Sequence, residues 1–142
     1  NMLSRWASID EKTGEYSSPK NPAIVYATLV GERIWAVEGI TNGVAQAVTI
    51  GARYGVLRLQ GNKNQQIIDY QSHQYALMPS LATVYALNSV VRMLRPSWSE
   101  AQLLGRNEST IDQFLQELPD FHAIAAGLKA SFGWWTMDAL EQ

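Results

Sequence analysis

Arg58 closes one apolar stretch, "ARYGVLRLQ", and Gln71 lies at the head of the next, "DYQSHQYALMP". A guanidinium offers a planar fork of donors that matches phosphate oxygens, and a carboxamide both donates and accepts. Only the turn "QGNKNQ" separates the two stretches, so Arg58 and Gln71 stand near one rim of a helix pair. Arg plus amide suits a pyrophosphate or a nucleotide edge. The plainer alternative is that Arg58 complements the negative end of a helix dipole while the glutamines face water. Arg33 is the third candidate. It lies between Val30 and Ile34 in an apolar stretch, and a buried Arg needs a partner. Glu32, Glu38, a further domain or an anionic ligand could supply one.

Other chemistries lack their residues. The chain has no Cys, which removes disulfides, thiolate metal sites and Cys nucleophiles. Asp69 and His73 are four apart and share a helix face, but a metal usually needs three or four ligands. The expectation is a hydrogen-bonded surface pair and no metal. Glu32 and Glu38 are six apart, on different parts of a helix surface, so paired-carboxylate catalysis is not expected. No Ser–His–Asp set, GxGxxG or P-loop is present.

The elements that must position these side chains read as mainly helical. The chain's 142 residues suffice for one domain with a core, and 46% hydrophobic with 17% charged residues is a globular composition. The net charge of -2 and scattered Lys and Arg give no case for nucleic acid. No membrane span is expected: the apolar region Ile24 to Leu59 is broken by Glu32, Arg33, Glu38, Arg53 and Arg58. Residues 1–22 read as a closing strand, a turn at Thr13-Gly14 and an extended linker through "SSPKNP".

From Ala23 the period becomes helical. Ile34, Val37, Thr41, Val44, Val48 and Gly51 form one stripe, and Val30, Ile40, Ala47 and Ile50 a second, which predicts a helix to about Leu59 sandwiched between partners. Gly39 and Gly43, and Gly51 and Gly55, are four apart, which predicts close approach of another backbone. A second helix is expected from Gln66 to Leu94, kinked at Pro79 and stopped by Arg95-Pro96. "SWSEAQLLGRNES" reads as a connection, Thr110 to Leu118 as a helical piece capped by Ser109, and Pro119 as the first turn of a last helix. That helix carries Phe121, Ala125, Leu128, Phe132 and Trp135 on one stripe. The fold class is mainly α, an antiparallel helical bundle preceded by a short β/linker segment. Two-sided burial implies a fourth helix. The Asn1 start and the mid-pattern stop at "SFGWWTMDALEQ" raise the expectation of an internal piece of a longer protein.

Three stretches, "ARYGVLRLQ", "IIDYQSHQYALMPSLATVYAL" and "LQELPDFHAIAAGLKA", resemble consecutive signatures of the acyl-CoA oxidases, flavoenzymes of the acyl-CoA dehydrogenase superfamily. The resemblance runs in order along nearly the whole chain. It implies that residues 1–22 end a middle β-domain and that residues 23–142 form an incomplete first C-terminal helical bundle, like that of the dehydrogenases. It further implies FAD near a homodimer interface, a fatty acyl-CoA substrate oxidised to trans-2-enoyl-CoA with hydrogen peroxide formed, and a peroxisomal location. Arg58 in "YGVLRLQ" matches an Arg that reaches the FAD of the neighbouring subunit, and Gln71 in "DYQSHQ" a Gln that does likewise. Arg33 matches an Arg beside the acyl-CoA site. The glutamate base is expected beyond Gln142, so the chain alone is expected to be inactive. Leu59-Gln60-Gly61 after Arg58 resembles the oxidases; the dehydrogenases tend to have an aromatic residue and Gly there. The alternatives are a dehydrogenase segment and a non-catalytic helical interaction module whose partner covers the open helix faces.

Overall fold

The computed structural model describes residues 7–18, 21–61 and 64–141. Most of the expected closing strand and part of the linker lie outside the described residues. What is described there is a short hairpin, β1 (Ser8–Ile9) against β2 (Tyr16–Ser17), paired antiparallel. Gly14 sits at φ 72°, as the expected turn requires. Asp10 Oδ1 accepts from the N–H groups of Lys12 (2.8 Å) and Thr13 (3.0 Å) and closes the turn.

Three helices follow: α1 (Ala23–Leu57), α2 (Gln71–Leu104) and α3 (Ile111–Glu141). α1 is the spine, packed by both others. Asn21 Oδ1 accepts from Ala23 N–H (2.9 Å) and satisfies one of the donors that open it. α2 runs antiparallel to α1: Gly55 meets His73 at one end, and Gly31 meets Trp98 at the other. The mainly α bundle is as the sequence predicts. The first α1 stripe is inward, with Ile34, Val37, Thr41 and Val44 buried. The second stripe closes only at Val30; Ile50 is 68% exposed, and Trp35, Tyr54 and Leu57 are exposed too.

Two expected helix ends are corrected. α2 does not stop at Arg95-Pro96 but continues to Leu104, and α3 runs unbroken through Pro119. An interior Pro costs about 3 kcal/mol through a lost N–H and a ring clash. Beyond Pro96 lie Leu94's core neighbours Trp98 and Ala101, both buried, and large buried apolar side chains contribute about 1.5–3 kcal/mol each. Burial wins. Pro79, Pro96 and Pro119 are all exposed, so they lie on the helix faces open to water. The first part of the stretch expected as a connection, Ser97 to Leu104, is thus the last turns of α2, capped at Gly105, and Arg106 to Thr110 make the connection to α3. On α2, Ser80 is buried while Leu81 is exposed. On α3 the stripe holds, and Phe114 and Leu118 extend it.

The four-apart glycines are corrected as well. The nearest atoms that a Cβ there would meet, where any lie within 4 Å, belong to side chains. A Cβ on Gly39 or Gly43 meets nothing within 4 Å, while one on Gly51 meets Leu77 of α2 and one on Gly55 meets His73 of α2 and Ile68 just before it. Among the described residues, α2 alone is long and apolar enough to cross a membrane by length and composition. The sequence reading weighed α1's stretch and passed over this one, although Gln71 to Val91 carries no Asp, Glu, Lys or Arg. The inward face of α2 packs on α1 and α3, as in a bundle helix.

The core gathers where the helices cross. Trp98 packs against Phe114 (ring centroids 6.1 Å) and edge-on to Phe121 (5.4 Å), among Ala27, Val30, Ile34, Leu94, Leu118 and Ala125. Trp98→Ala should cost about 3–5 kcal/mol, and Gly39→Ala, with open space at the new methyl, should gain up to about 1 kcal/mol; thermal or urea unfolding measures both. The N–H groups of Thr13 and Lys12 hold the Asp10 carboxyl below its ordinary value. This contribution to the turn is present above the unfolded Asp value and lost as pH falls through the lowered folded one. An acid titration followed at the Lys12 and Thr13 amides by NMR should show both hydrogen bonds released in that acidic window.

Candidate functional site

The end of α1 and the head of α2 lie at the same end of the helix pair, where Gly55 meets His73. α1 ends at Arg58, its C-cap, whose N–H donates to Tyr54 O (2.8 Å). The chain then forms a two-strand ribbon, β3 (Leu59–Gln60) against β4 (Gln65–Gln66), with Gly61 at φ 81°. A single 3-10 turn, Ile67–Asp69, leads into α2. The turn is therefore a hydrogen-bonded hairpin rather than an open loop.

The hairpin is tied down by side chains that the sequence reading left unassigned. Gln66 Nε2 donates to Val56 O (2.7 Å), one of the carbonyls left over at the end of α1. Tyr70 Oη donates to Gln60 O (3.0 Å), and Ile67 N–H to Arg58 O (3.0 Å). Gln74 Nε2 donates to Ile68 O (3.0 Å). The signal that could have found them is the cluster of Gln and Tyr around a helix C-terminus with no basic residue in its last turn.

This sorting separates the two glutamines of the motif. Gln74 is engaged with backbone. Gln71 is exposed and makes no side-chain hydrogen bond among the described residues. Arg58 is exposed and, among the described residues, lies within ion-pair distance of no carboxylate. A guanidinium at the end of α1 and an amide at the head of α2, both without side-chain partners among the described residues, are groups chemically suited to phosphate oxygens and a nucleotide edge. A shallow groove of about 450 Å³ runs from Gln71 and Gln74 along Tyr75, Met78 and Pro79, polar at its head and apolar beyond.

Asp69 and His73 are not the expected surface pair. Asp69 belongs to the 3-10 turn, His73 turns inward to Gly55, and no hydrogen bond joins them among the described residues. Among the described residues no group of three His, Asp or Glu could hold a metal.

Arg33 lies elsewhere. It sits 25 residues before Arg58 on α1, about 37 Å along the helix at 1.5 Å per residue. Half-buried, it donates to His122 Nδ1 at 3.2 Å. Neither glutamate is its partner: Glu38 pairs with Arg95 (2.9 Å), a half-exposed bridge worth about 0–1 kcal/mol, and Glu32 is exposed. Arg33 heads a groove of about 420 Å³ against α3, floored by Ala126, Ala130 and Gly133 and flanked by Lys129, Trp134 and Met137. A lining with two cationic side chains and an exposed indole makes it amphipathic.

Comparison with known proteins now bears on both places. Residues 26–142 match the family model described as acyl-CoA oxidase, C-alpha1 domain. The chain is 38% identical to peroxisomal acyl-coenzyme A oxidase 1 of Rattus norvegicus, over 98% of this chain and 21% of that protein. It is 37% identical to the Bos taurus protein and 34% to the Homo sapiens protein of the same name, each over 99% of this chain and 21% of the relative. The chain thus spans about a fifth of the length of these curated relatives, whose names place them in the peroxisome, the compartment the family resemblance gives this chain. No solved structure matches it. With the family model matching all but the first 25 residues, the chain belongs to the acyl-CoA oxidase family and carries its C-alpha1 domain.

Proposed function

We propose that this chain is the C-alpha1 part of an FAD-dependent acyl-CoA oxidase, which converts a fatty acyl-CoA to the trans-2-enoyl-CoA and reduces oxygen to hydrogen peroxide. In this reading residues 1–22 finish a middle β-domain and residues 23–142 form most of the first C-terminal bundle. The observation that carries it is the pair of uncommitted side chains, Arg58 and Gln71, held at one rim of a domain of this family. When bound, FAD would supply the redox chemistry, accepting hydride and being reoxidised by oxygen.

The residues of this chain bind and orient. Arg58 holds phosphate oxygens through its donor fork, and Gln71 holds a nucleotide edge, in the neighbouring subunit of a homodimer. Both stand on hydrogen-bonded backbone, which limits the ordering they lose on binding. Arg33, kept in place by His122, orients the acyl-CoA, with the Lys129 and Trp134 groove beside it. The proton on the α-carbon is assigned to a glutamate outside these residues, as the family resemblance implies.

Arg58→Ala and Gln71→Ala in the complete oxidase should each weaken FAD retention, by about tenfold or more for Arg58, the scale of a lost charge-assisted hydrogen bond. Flavin content per polypeptide after dialysis measures it, and wild-type content in both variants would overturn the assignment. Arg33→Ala should raise KM for acyl-CoA while leaving flavin content unchanged. Oxygen consumption without an added electron acceptor separates oxidase from dehydrogenase.

A further inference from the structure

The helices α1 and α2 meet at the rim through one tightly fitted contact. Gly51 and Gly55 lie one turn apart on α1, and Leu77 and His73 one turn apart on α2, in opposite chain directions. A Cβ on Gly51 falls 3.3 Å from Leu77 Cδ2, the far end of a flexible side chain. A Cβ on Gly55 falls 2.8 Å from His73 Nε2, 3.3 Å from its Cδ2 and 3.4 Å from Ile68 Cβ. The imidazole therefore fills the space a side chain at Gly55 would need, with Ile68 closing the other side. Gly55 is buried.

The same ring carries a second oddity. His73 Nε2 is buried with no hydrogen-bond partner among the described residues. A buried polar atom left unpaired is disfavoured, and such atoms in native structures call for a reason. An apolar side chain at this position would fill the space without that penalty. The position of the contact supplies a reason. Gly55 is three residues before Arg58, and His73 is two residues after Gln71. Between them the chain is stitched by Gln66 to Val56 O, Ile67 to Arg58 O and Tyr70 to Gln60 O. The spacing of the two helices at this contact thus fixes how far apart the Arg58 backbone and the Gln71 backbone stand.

We infer that the seating of His73 on Gly55 is the positioning device of the rim, setting the separation of Arg58 and Gln71 for the ligand they share. The inference rests on the reading that these two residues bind FAD, and it assigns a role to two residues that need not touch it. A methyl group at position 55 pushes α2 outward and carries Gln71 away from Arg58. Removing His73 Nε2, the one atom closer than 3.0 Å to the new methyl, relieves the push.

The test uses the complete oxidase, with FAD affinity measured by flavin fluorescence titration and folding by the melting temperature. Gly55→Ala should weaken FAD binding about tenfold or more, the scale at which misplaced orienting contacts act. Adding His73→Asn, which lacks Nε2 and Cε1, should restore affinity to within about threefold of wild type, a non-additivity expected of contacting residues. Ile34→Val, in the core at the far end of α1, should lower the melting temperature and leave FAD affinity unchanged. Wild-type affinity in Gly55→Ala, alongside flavin loss in Arg58→Ala, overturns the positioning role and leaves the flavin reading standing. Wild-type affinity in Arg58→Ala overturns the flavin reading itself. Failure of the double variant to regain affinity, whether it folds or not, also overturns the positioning role.

Discussion

The three helices depend on one indole. Trp98 lies on Gly31 of α1, where a Cβ would fall 3.1 Å from its Nε1, and it touches Phe114 and Phe121 of α3. Without a side chain at Gly31 the ring can lie against α1, and the rings of α3 then close over its other side. This contact explains why α2 runs past Pro96 and why α3 tolerates Pro119. A helix break at either proline would leave the residues beyond it without the register that brings them to Trp98. The apolar area gathered there outweighs two missing backbone hydrogen bonds.

The two ends of α1 are built differently. The Trp98 end is dry and aromatic. The Arg58 end is held by polar side chains bonded to backbone, Gln66, Tyr70 and Gln74, around a ring seated on a glycine. Such a network fixes a chain end without covering it. Among the described residues Arg58 and Gln71 are left exposed and without side-chain partners, on a support in which Gln66, Tyr70 and Gln74 are hydrogen-bonded to backbone. In a site meant for a ligand, supporting groups make the internal bonds and presenting groups do not.

Much apolar surface remains open. Trp35, Ile50 and Leu57 on α1, Tyr75 and Tyr85 on α2 and Trp134 on α3 are all exposed. Exposed apolar faces of this breadth are what a domain that packs against more protein presents. That agrees with the proposed place of the chain within a larger oxidase, and with relatives of which it spans 21%.

The sequence by itself determined the mainly helical class, the extent of α1 and the inward stripes of α1 and α3, because apolar period is a local signal that burial then obeys. It also determined the family, and it brought the end of α1 and the head of α2 to one end of the helix pair, because a short turn leaves two helix ends no other place to be. The tertiary structure alone decided where α2 ended and whether Pro119 divided α3. Proline is a local penalty, and only packing across the chain, at Trp98, decides whether the penalty is met. It alone separated Gln71 from Gln74 and turned His73 inward from Asp69. Those choices depend on which carbonyl or glycine of another element stands opposite, and a one-dimensional spacing does not contain that. Glycines four apart looked alike in the sequence; Gly55 faces an imidazole and Gly39 faces open space, because only one of them lies where α2 crosses.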